Sequence, residues 1–143
     1  HAKGMTFVGD HILQTSNPNP LLRRTVDGKP RAKALVEYRD SLRRSRELDL
    51  GVCLPGHGPP FENHVAVIDG IMAKHDKRTK QVMELVERGL DTPFDVSRTL
   101  FPKLPMQNIH LGLSIAVGHL ELLEEAGQLR SEHVDGVLRF SIA

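Results

Sequence analysis

Two short β-prone runs, Met5-Thr-Phe-Val8 and Leu50-Gly-Val-Cys-Leu54, stand either side of one amphipathic stretch, and this order constrains the fold more than any other feature of the chain. Ala34, Leu35, Tyr38, Leu42 and Ser45 recur at three- and four-residue spacing, while Arg39, Asp40, Arg43, Arg44 and Arg46 fall largely on other faces. The pattern predicts a helix over residues 31–48. Strand, helix, strand marks an α/β layer. Gly9-Asp10-His11 ends the first run. Two Asn-Pro steps between Gln14 and Pro20 push their preceding residues away from helix, so residues 12–30 read mostly as loop. The second run feeds Pro55-Gly-His-Gly-Pro-Pro60, the punctuation of a buried strand entering a tight loop.

The rest of the chain changes character. Asn63 is placed to cap a long helix over residues 64–89, with Gly89 at its exit; the polar stretch Lys74–Lys80 interrupts its apolar positions and marks a boundary between residues 1–75 and 76–143. Thr92-Pro93 starts a short helix that Pro102 and Pro105 close. A further helix spans residues 108–126 through Ile109, Leu113, Val117, Leu120 and Leu123. Two β-prone runs then flank Asp135-Gly136, the strongest short-range hairpin signal in the chain. Helix, helix, helix, hairpin is the order of a small α+β winged-helix domain.

Composition narrows the function classes. With 143 residues and 39% apolar content, the chain makes one ordinary domain or two small ones. A lone Cys53 closes no internal disulfide, which points to a reducing compartment, the cytoplasm by default. No apolar run is long enough to span a membrane, and no export signal opens the chain, so neither spanning nor secretion is expected. Residues 1–50 carry 10 Lys/Arg against 6 Asp/Glu, and residues 51–143 carry 9 against 12, an offset too small to demand a polyanion. The helix over residues 108–126 bears Glu121, Glu124 and Glu125 with no Lys or Arg, a surface that phosphates repel, so nucleic acid is not an expected partner. Arg23, Arg24, Arg39, Arg43, Arg44 and Arg46 read as a solvated face, and His64, His75 and His119 as ordinary surface or core-edge histidines.

Asp10 and His57 each bring a metal-competent side chain to the end of a strand, flanked by glycines that allow close approach. Taken singly, Gly-Asp is usually a turn and a histidine between glycines an ordinary loop residue. In sequence, Phe7-Val-Gly-Asp-His-Ile-Leu13 followed about 45 residues later by Leu54-Pro-Gly-His-Gly-Pro-Pro60 resembles the last two metal-binding motifs of the metallo-β-lactamase-fold hydrolases. Within them the likeness is to the hydroxyacylglutathione-hydrolase-like and lactamase-like subgroup that carries a C-terminal winged helix. The resemblance covers nearly the whole chain. It implies the second half of an αββα sandwich followed by the winged helix, with Asp10 bridging two metal ions and His57 a late ligand of the second. His11, beside the bridging carboxylate, would support the site from behind its ligands. The implied reaction is hydrolysis of an ester- or thioester-like small molecule by water acidified between two divalent ions, zinc foremost, with iron or manganese as alternatives.

One departure limits what this chain can do. The family also uses an upstream His-x-His-x-Asp-His cluster and a further histidine, whereas the histidines here stand at 1, 11, 57, 64, 75, 110, 119 and 133, and no two are separated by a single residue. His1 lies too near Asp10 to be the missing histidine and reads as a loop or tag remnant. One Asp and one His complete neither a structural nor a catalytic site, so the fragment is expected to be inactive and metal-free or partly loaded. The absent N-terminal half would leave apolar surface uncovered, which predicts self-association. Two alternatives stay open: a non-catalytic winged-helix interaction module, and an RNA phosphodiester hydrolase of the same fold.

Overall fold

A computed structural model describes residues 4–22 and 31–143; His1, Arg23 and Arg24 lie outside them. The chain divides into two compact units, His1–Pro18 with Tyr38–His75, and Asn19–Glu37 with Asp76–Ala143. The cut after His75 falls where the polar stretch begins, and residues 19–37 group with the later unit.

In the first unit, β1 (Met5–Gly9) pairs with β2 (Val52–Pro55) in parallel, with Met5 opposite Val52, Thr6 opposite Cys53 and Phe7 opposite Leu54. A parallel pair needs a long crossover, and the connection contains α1 (Ala34–Arg46). Glu37 in the first turn of α1 and Arg43, Arg44 and Arg46 in the last complement the helix dipole. The apolar face of α1 gives Leu42 to a core of Ile12, Leu50, Cys53, Phe61, Ile68 and Ile71. Cys53 is fully buried, and its backbone exchanges two hydrogen bonds with Phe61, which pins the base of the Pro55–Pro60 loop. Met5 and Phe7 point the other way: Phe7 is 87% exposed.

The helix α2 (His64–Glu87) begins under an Asn63 cap, whose Oδ1 accepts the Ala66 N–H, and runs without a break. The helix is the one expected over residues 64–89, whose apolar pattern alone looked interrupted at Lys74–Lys80. Instead, His75 and Thr79 continue the inward stripe with side chains polar enough to hide it from a hydropathy pattern. The helix ends where Gly89 N–H reaches Val86 O and Leu90 N–H reaches Leu85 O, a Schellman closure.

In the second unit, the end of α2, α3 (Pro93–Leu100), α4 (Ile109–Glu125) and the antiparallel hairpin β3 (Leu129–Val134) and β4 (Val137–Ile142) enclose a core of Val82, Leu85, Val96, Leu120, Leu123, Leu129 and Phe140. Thr92 caps α3 by accepting the Asp95 N–H. Asp135 and Gly136 turn the hairpin at φ of 51° and 77°, as a two-residue turn between right-twisted strands requires. Among the described residues, no helix is long and apolar enough to cross a membrane.

Candidate metal centre

Parallel pairing brings two strand tips side by side. Asp10 leaves β1 directly after Gly9, and His57 sits two residues beyond the end of β2; the Gly56 N–H donates to Gly9 O at 2.9 Å and ties the tips together. There the His57 Nδ1 stands 2.7 Å from Asp10 Oδ1. An ionised carboxylate can only accept, so the ring donates from Nδ1, and a neutral ring keeps its lone pair on Nε2. Both side chains face solvent, 62% exposed for Asp10 and 77% for His57. Gly56 makes the approach possible: a Cβ at that position would lie 2.6 Å from Asp10 Oδ1. The sequence marked Gly56 as punctuation but gave no sign that it clears space for a carboxylate 46 positions away.

These residues suit a cation in kind. Two donor atoms on one tetrahedral ion stand about 3.3 Å apart, so sharing one through Nδ1 requires the ring proton to leave Nδ1 and the 2.7 Å pair to open slightly. In number they fall short. Among the described residues no group of three or more His, Cys, Asp or Glu side chains is placed to hold a metal. By themselves, Asp10 and His57 supply two donors of a kind that divalent cations take.

His11 turns away from this pair. Its Nε2 lies 3.1 Å from Ser45 Oγ on α1, its ring meets Tyr38 edge-on at 5.4 Å, and its carbonyl accepts the Tyr38 hydroxyl at 2.7 Å. Burial lowers the pKa of the His11 imidazole, which keeps the ring neutral against α1. His11 thus braces the turn that carries Asp10. The signal for this was Tyr38, a hydroxyl on the apolar stripe of α1.

Several residues read as solvated are not. His75 and His119 are fully buried, not surface or core-edge: His75 packs edge-on against Tyr38 at 5.9 Å, and His119 Nδ1 lies 2.9 Å from Thr79 Oγ1. Arg39 is buried on α1. Glu121, counted among the acids that α4 shows to solvent, is buried against Arg31, and Lys33 holds Glu124 and Glu125. A shallow cleft of about 320 Å³ opens in the first unit between Leu13, Gln14 and the α2 face of Val67, Gly70 and Ile71, with Lys74 at its edge.

No family model matches the chain. It is 36% identical over 121 residues to the protein named "Probable metallo-hydrolase YqjP" of Bacillus subtilis (strain 168), a match over 85% of this chain and 38% of that one. The structure superposes on a β-lactamase domain protein from Burkholderia ambifaria with a TM-score of 0.78 and 29% identity, covering 98% of this chain and 42% of that one. The chain carries part of a metallo-β-lactamase fold. The metallo-β-lactamase family protein TTHA1429 from Thermus thermophilus shares the fold at a TM-score of 0.77 and 23% identity, over 99% of this chain and 42% of that one. This metallo-β-lactamase-fold chain thus spans about two fifths of the length of the relatives it matches.

Proposed function

We propose that this chain is the later portion of a metal-dependent hydrolase, and that Asp10 and His57 are two ligands of its dinuclear centre. The observation that carries the reading is the 2.7 Å approach of His57 Nδ1 to Asp10 Oδ1 at neighbouring tips of parallel strands. The likeness to the Bacillus subtilis protein, named a probable metallo-hydrolase, supports it. Bound divalent cations, zinc foremost, would acidify water and stabilise negative charge developing on a carbonyl centre. The chain's own residues hold and orient: Gly56 leaves room for the carboxylate, and Tyr38 and Ser45 fix the His11 turn behind it.

The substrate on this reading is an ester- or thioester-like small molecule. An apolar cleft floor with Lys74 at its edge suits an acyl part ending in an anionic group. Met5 and Phe7, exposed on β1, are then covered in the longer protein by its preceding segment, and in the isolated chain by a second copy. The order α2, α3, α4, hairpin supports reading the second unit as a winged helix that serves as scaffold. Metal analysis of the longer protein decides the ligand assignment. Asp10→Ala and His57→Ala should each lower its zinc, iron or manganese content, and unchanged content in both variants would refute it.

A further inference from the structure

The hairpin of the second unit presents one edge with no strand beside it among the described residues: β3 is bonded to β4 alone. On β4, the Phe140 N–H turns away from β3 and donates to Asp91 O at 2.8 Å, and Phe140 stands opposite Ser131. In an antiparallel ladder, a residue whose N–H faces away from the neighbouring strand belongs to a non-bonded pair, and the residue opposite faces away as well. Ser131 therefore aims its N–H and C=O at the open side of β3, as do Leu129 and His133. Arg130 to Val134 are exposed, and β3 holds neither the Lys nor the Pro that commonly blunts an edge.

The charges that β3 does hold are Arg130 and Glu132, two positions apart and so on one face of the strand. Neither forms an ion pair among the described residues. Arg130 Nε donates to Ser141 Oγ at 3.0 Å, and Arg139, which stands opposite Glu132, is held instead by Asp91 at 2.6 Å. The order Arg-Ser-Glu is its own complement when reversed. If two copies of β3 meet antiparallel about a two-fold axis at Ser131, Arg130 of each falls opposite Glu132 of the other. An axis at Arg130 or Glu132 would oppose like charges, and one at Leu129 or His133 would set a charge beside Gln128 or Val134. Charge thus selects the register in which Ser131 exchanges both of its backbone hydrogen bonds with its own copy.

We propose that β3 pairs with β3 of a second copy of this chain, centred on Ser131, joining two hairpins into one four-stranded antiparallel sheet. The contact uses neither Met5 and Phe7 nor Asp10 and His57.

Two edge strands bury little surface, so association is weak and calls for sedimentation equilibrium of the whole chain between about 10 µM and 1 mM. Arg130→Glu and Glu132→Arg each replace both attractive pairs with repulsive ones, and each should weaken dimerisation at least tenfold with circular dichroism unchanged. Mixed in equal amounts, the first variant offers two acids where the second offers two bases, and association should return to near the native strength. A fold defect in either variant would not be repaired by mixing. Amide exchange at Ser131 and His133 should slow as native concentration rises. The proposal is overturned by a native chain that stays monomeric at 1 mM, by association equally strong in both reversals, as pairing through Met5 and Phe7 would give, by a mixture no tighter than either variant alone, or by exchange at Ser131 and His133 that ignores concentration.

Discussion

Gly56→Ala is the smallest change that asks whether the two strand tips act as one site. The added Cβ would stand 2.6 Å from Asp10 Oδ1 and 3.5 Å from Asp10 Cγ and Gly9 C, so only the carboxylate oxygen must give. Moving out to 3.0 Å, below which real Cβ contacts essentially do not occur, takes a retreat of about 0.4 Å; reaching the 3.4 Å of ordinary contact takes about 0.8 Å. Asp10 is an exposed side chain free to rotate, so stability should change by no more than about 1 kcal/mol. The site is less forgiving. Metal–ligand distances hold within about 0.2 Å, so the same retreat should weaken cation binding tenfold or more. Carbon–proton spectra of the His57 ring during titration with millimolar zinc give the readout: the native ring should shift saturably, and Gly56→Ala should need at least ten times more zinc. Gly70→Ala supplies the control, because its Cβ meets nothing within 4 Å. It should match native zinc binding and gain about 0.5–1 kcal/mol in urea unfolding. A Gly56→Ala ring that titrates like the native one, or a native ring that ignores zinc, refutes the reasoning.

Thr92→Ala removes the cap of α3 and should cost about 1 kcal/mol in urea unfolding, with no effect on zinc binding at His57; an unchanged midpoint would show that Pro93 alone starts the helix. Burial raises the Glu121 carboxyl above its ordinary 4.5, against the opposing pull of Arg31. The native state therefore keeps that proton longer than the unfolded chain. This contribution to stability is full below about pH 4.5 and declines as pH rises through the folded value. Glu121→Gln should flatten that decline in urea unfolding measured from about pH 4 to 8, and a slope equal to the native one would contradict the assignment. Cys53 is fully buried, with its thiol pKa pushed up by burial, so Ellman's reagent should leave it unmodified until denaturant is added; rapid labelling of the native chain would place it elsewhere than in the core.

Much of the fold was legible because its causes are local. Leu35, Leu42 and their helical spacing announced α1, Asp135-Gly136 announced the hairpin, and Thr92-Pro93 announced the start of α3. What misled were polar residues on inward faces. His75 and Thr79 made the apolar stripe of α2 look interrupted, and Glu121 and Arg39 looked solvated because charge in a sequence says nothing about where its partner lies. Glu121 meets Arg31 across 90 positions, a separation at which local pattern carries no information.

The same division holds at the candidate site. The sequence by itself determined which side chains are offered: a carboxylate after Phe-Val-Gly and an imidazole between two glycines, each at the end of a β-prone run, since propensity and turn chemistry act over a few residues. Only the tertiary structure decided that β1 and β2 pair in parallel, so that groups 47 positions apart meet at 2.7 Å, that Gly56 must lack a side chain for them to do so, and that His11 faces α1. Strand register and side-chain direction come from packing the whole unit around its core, and no window of sequence contains that sum.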